Sequence, residues 1–155
     1  MWREFIREHH PDLEPIAGNA PGPEFSPGAT PQELQAVEHH LGVQLPDTLK
    51  DLLAQTNGVL VVFGTHLIWT TDEIVRRNLE LRRTPTYQDT YMPFEHLLFF
   101  ADAGVDGIEF AFGIIQGQIK REDVYSWNPY DDSREWQAPS LKTYIHWWLG
   151  GKLQV

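Results

Sequence analysis

The chain has 155 residues, a hydrophobic fraction of 41% and a formal net charge of -10, from 22 acidic and 12 basic side chains. That length buries a core as one domain without covalent staples, and the absence of cysteine excludes disulfide frameworks, thiolate metal centres and cysteine nucleophiles, which fits a reducing cytoplasm. The acidic excess repels phosphate backbones and anionic lipid, disfavouring nucleic acid and membrane as direct partners, and it speeds encounter with a basic protein.

In chain order, Trp2, Phe5 and Ile6 fall on one side of a short helix that Pro11 ends. Arg3, Glu4, Arg7 and Glu8 interrupt the apolar stretch that a secretory signal needs. No apolar run approaches the roughly 20 residues of a spanning helix; the longest are Val59 to Phe63 and Leu97 to Ala101. Residues 15 to 31 hold five prolines and three glycines, among them Pro15, Pro21, Pro23 and Pro27, and read as an extended strap. The expected organisation is a helix and strap over 1–29 packed on a domain formed by 30–155.

Thr30-Pro31-Gln32-Glu33 carries a capping box with proline in the first turn, so a helix begins there, presents Leu34, Val37 and Leu41, and stops at Gly42. Pro46 and Asp47 open the next helix, whose Leu49, Leu52, Leu53 and Thr56 repeat at helical spacing until Asn57-Gly58. Val59 to Phe63 and His66 to Trp69 predict a β-hairpin around Gly64-Thr65. Thr70 to Glu73 caps a further helix reaching about Arg83, with Arg76, Arg77, Arg82 and Arg83 as a solvated basic face paired to Glu73 and Glu80. Residues 84 to 93 read as an aromatic loop, Leu97 to Ala101, Ile108 to Ile115 and Val124 to Trp127 as strands, and Asn128 to Gln137 as a polar loop. Ser140 starts a last helix with Leu141, Ile145, Trp148 and Leu149 on one face, ended by Gly150-Gly151. Helices grouped around strands close in sequence predict an α+β domain with a twisted, mainly antiparallel sheet.

The seven histidines lack zinc-ligand spacing, and neither a phosphate-binding glycine loop nor a nucleophile elbow is present, so no metal, cofactor or catalytic residue is assigned. The candidate partner-binding surface is acidic and aromatic: Asp102, Asp106 and Glu109 around one turn, with Asp131, Asp132, Glu135 and Trp136 in the polar loop. Paired carboxylates of this set also allow a hydrolase, which requires a deep pocket and a raised carboxylate pKa.

Several segments in consistent order resemble the SUKH superfamily, named in part for fungal regulators of cell-wall assembly. They are Thr30-Pro31 with Glu33-Leu34, Leu41-Gly42-Val43 with Leu45-Pro46-Asp47, Leu52-Leu53, Thr56-Asn57-Gly58, Met92-Pro93-Phe94, Leu97 to Asp102, Val124-Tyr125 with Trp127, and Ala138-Pro139-Ser140-Leu141. The resemblance implies helices around a twisted, mainly antiparallel sheet. It also implies a non-catalytic protein-binding role, since many bacterial members are linked to immunity against toxins; the acidic charge would suit a basic, nuclease-type toxin, and a regulatory or scaffolding adaptor is the alternative. Because family partners vary, it assigns no contact residue.

Overall fold

The computed structural model describes residues 1–12, 22–61, 64–153 and 155. The first part of the strap, residues 15 to 21, lies outside the described residues, as do residues 62 and 63 at the end of the expected first hairpin strand.

Helix α1 (Trp2–His9) turns Trp2 and Ile6 into the core. It is tied down by Trp2 Nε1 donating to Asp51 at 3.0 Å and by Arg3 donating to the carbonyls of Ser26 and Gln55. The short strand β1 (Glu24–Phe25) follows, then α2 (Pro31–Leu41) and α3 (Asp47–Gln55). The capping box at α2 is complete, with the Glu33 amide donating to Thr30 Oγ1 and the Thr30 amide to Glu33 Oε1. Gly42 closes the helix at φ 66°, a left-handed backbone that a side chain would strain.

Strands β2 (Val59–Val61) and β3 (Thr65–Ile68) form an antiparallel sheet with β1 in the order β1-β2-β3. Helix α4 (Thr71–Arg83) begins with a second capping box, Thr70 with Glu73. Helix α5 (Pro85–Thr90) then corrects the expected loop at 84 to 93: Pro85 takes the first helical position and the amides of Gln88 and Tyr91 close helical turns. Strands β4 (Leu97–Asp102), β5 (Glu109–Gly113), β6 (Val124–Asn128) and β7 (Ser133–Ala138) make a four-stranded antiparallel meander, and α6 (Leu141–Leu149) ends the fold. Strand β7 corrects the expected polar loop at 128 to 137. Its residues 134 to 136 are all polar or exposed, so the sequence shows no buried alternation there, and pairing with β6 makes it a strand. The architecture is α+β, with both sheets antiparallel.

The outer edge of β4 would expose unpaired backbone, and two elements close it. The Trp69 amide, just beyond β3, donates to Phe100 O at 2.9 Å, bringing the first sheet against the second. From α4, buried Asn78 donates to Phe99 O and accepts from the Phe99 amide, while Arg82 donates to Leu97 O. Both faces of the large sheet are covered. Phe100 stacks on Phe112 at 4.4 Å and Tyr144 of α6 packs edge-on against Phe100 and Phe110; on the other face Trp127 meets Tyr91, Phe94 and Phe99 edge-on.

Candidate functional site

Strands β4 and β6 run in the same direction, so the β4–β5 turn and the β6–β7 turn emerge at one end of the sheet. There they touch: a Cβ added at Gly107 would lie 3.0 Å from the Pro129 ring. Tyr91 Oη donates to Pro129 O at 2.8 Å and the Met92 amide to Asp132 Oδ2 at 2.9 Å, which brings the chain after α5 to the same end. The turns use left-handed backbone at Asp106 (φ 55°) and Asp132 (φ 60°), a conformation that aspartate tolerates better than most residues.

Of the seven candidate residues, Asp106 and Asp131 are exposed at this end, and Asp102 lies there with both oxygens engaged. Asp102 is half-buried, accepting from Trp69 Nε1 at 2.7 Å and from the Gly104 amide at 2.8 Å, and it faces His66. Asp106 is exposed, and exposed Asp131 accepts from the Ser133 amide, which holds its carboxyl below the usual range. Around them stand three exposed apolar side chains that no sequence pattern singles out: Met92, Val105 and Tyr130, the last 81% accessible. Their position on turn tips, not their identity, makes them surface.

The other four candidates lie elsewhere or are engaged inside the fold. Glu109 is buried and both its oxygens accept from Arg77, at 2.6 and 3.3 Å. Burial pushes its carboxyl pKa up and Arg77 opposes that shift, while the pair holds the Arg77 guanidinium even more firmly protonated than usual. The basic helix face is therefore only partly solvated: Arg77 and Arg82 turn inward and Arg76 pairs with Glu80. Asp132 accepts from the Met92 amide, Trp127 Nε1 and Arg134; burial alone would raise its pKa, yet these donors lower it. Glu135 and Trp136 sit on β7, opposite Ser126 and Tyr125 respectively, so their side chains point to opposite faces of the sheet.

Two open clefts border the acidic end, about 340 and 360 Å³, sharing Arg77, Asp102 and Glu109 in their walls. Glu109 has the raised carboxyl that acid–base catalysis uses, but it is buried and both its oxygens are engaged by Arg77. Among the described residues no group of histidines and carboxylates is placed to hold a metal ion, and no helix is long and apolar enough to cross a membrane. What this end can do physically is bury acid and apolar surface against another molecule.

Fold and site together define an α+β domain whose distinctive polar surface is carried on hairpin turns instead of in a deep cavity. The SUKH_6 family, described as SMI1-KNR4 cell-wall, matches residues 31–145, and the chain belongs to this family within the SUKH superfamily. No curated protein matches the chain.

Proposed function

We propose that this chain is a non-catalytic protein-binding domain of immunity type, neutralising a basic, nuclease-type toxin in the cytoplasm by covering it, without metal or cofactor. The observation that supports the reading best is the turn end of the large sheet. There Asp102, Asp106 and Asp131 surround exposed Met92, Val105 and Tyr130, giving charge for steering and apolar area for burial on one surface. Family membership makes the same reading natural, and a net charge of -10 complements a cationic enzyme that itself binds phosphate backbones.

The domain-level expectation is kept as part of this proposal: residues 30–155 form the binding domain and 1–29 pack on it as an accessory segment. The test is a search of the genes neighbouring this chain's own for a basic toxin domain, followed by association kinetics with that protein at several salt concentrations. Asp106→Asn, which keeps a residue suited to the left-handed turn, with Asp131→Lys is expected to slow association at least tenfold and to flatten its salt dependence. Unchanged kinetics in this double variant would overturn the surface, and the absence of any complex with the neighbouring toxin would overturn the immunity reading.

A further inference from the structure

A second surface lies at the opposite end of β7, away from the acidic turns. Trp136 is 51% exposed although its indole is anchored: Nε1 donates to Asp123 Oδ1 at 2.9 Å and the ring meets Trp147 edge-on. Tyr125 is its cross-strand neighbour, and Gly113 of β5 lies beyond, leaving the floor of a groove of about 320 Å³ open beside exposed Ile115. The rim is basic. Arg121 engages Asp123 through Nε at 2.7 Å but remains 80% exposed, and Lys120 makes no ion pair with any described residue. Asp123 has one oxygen on Trp136 and the other on Arg121, so it is already compensated, and the groove carries net positive charge on a strongly acidic protein.

We propose that this groove is a docking site for an extended, acidic segment of a partner protein that carries an aromatic or large aliphatic residue. The occupant follows from complementarity. A tryptophan pre-oriented by Asp123 and Trp147, with Tyr125 and an open glycine floor beside it, favours one bulky apolar side chain, since the indole is fixed before binding and little of its rotamer entropy is lost. The two cations favour carboxylates next to that side chain, while a basic segment would meet like charge at the rim. The site is distinct from the acidic turn end and does not depend on the immunity reading.

The test is a titration of the ¹⁵N-labelled protein with two capped peptides, acetyl-Glu-Asp-Phe-Glu-Asp-amide and acetyl-Lys-Lys-Phe-Lys-Lys-amide, followed at the Trp136 indole resonance. That resonance is assigned by its loss in Trp136→Phe. The acidic peptide is expected to shift it saturably and the basic one to leave it in place. Lys120→Glu and Gly113→Val should each weaken acidic-peptide binding at least fivefold. Both variants are compatible with the fold: Lys120 is exposed and pairs with no described residue, and a Cβ at Gly113 meets only Tyr125, at an ordinary 3.5 Å. No saturable shift with the acidic peptide, an equal response to the basic one, or undiminished affinity in both variants would overturn the proposal.

Discussion

Asp131 and Asp132 sit side by side in the β6–β7 turn, yet the fold engages them unequally. Asp131 bonds the nearby Ser133 amide and is exposed, whereas Asp132 joins Met92, Trp127 and Arg134 around one carboxylate. Replacing Asp132 by alanine strands the Trp127 indole N–H and the Met92 amide, and this is expected to cost about 2 kcal/mol in urea denaturation. Asp131→Ala should leave the midpoint where it is, so Asp131, not Asp132, is the clean probe of binding. The Arg77–Glu109 pair, with side chains 19% and 9% exposed, behaves differently again. Arg77→Met leaves a buried carboxylate unpaired, an expected loss on the order of 3 kcal/mol, and adding Glu109→Gln should recover part of it. A double-mutant cycle measures the recovery; additive losses would mean that the two side chains do not act as a pair.

Among the elements, the two long helices with capping boxes are specified locally and the edge of β4 is not. Thr30→Ala and Thr70→Ala each remove a side-chain acceptor from an N3 amide, and each is expected to lower stability by about 1 kcal/mol by thermal or urea unfolding. These motifs are legible because a cap needs only residues three apart. The closure of β4 by Asn78 joins positions 21 residues apart; the helical period puts Asn78 on the same face as Ile74, Val75 and Leu79, but nothing local names Phe99 as its partner. Strand β7 is hidden for a related reason. Its residues 134 to 136 satisfy β6 by backbone pairing while Glu135 and Trp136 stay exposed and Arg134 turns to Asp132, so no buried period marks them.

Across the whole molecule, stability depends on pH through groups of opposite sign. His96 accepts from Arg134, and partial burial and that guanidinium hold its pKa below 6.5. The unfolded chain therefore binds the proton more readily, and stability should fall as pH drops from 6.5 toward the lowered folded value. Glu109 acts in the reverse sense: its raised folded pKa means that stability declines as pH rises from 4.5 through that value. At lower pH the depressed Asp132 and Asp123 dominate, and their contribution, present above 3.8, is lost as pH falls through their folded values. Comparing the unfolding midpoint of His96→Gln with that of the unaltered protein between pH 7.5 and 5 isolates the histidine. The variant should lose stability less steeply on acidification, and parallel curves would remove His96 as a contributor.

By itself the sequence determined the α+β class, the helices starting at Pro31 and near Asp47 and Thr71, the five strands β2 to β6, the acidic character of the surface and the family, because caps, periodicity and charge are properties of neighbouring residues. Only the tertiary structure decided which acids share a surface. It gathered Asp102, Asp106 and Asp131 with Met92, Val105 and Tyr130, withdrew Glu109 and Asp132 into internal bonds, and carried Trp136 to a basic groove at the far end of β7. The physical reason is that a carboxylate's role depends on which donors the fold brings within about 3 Å of it, and those donors come from strands and helices distant in the chain.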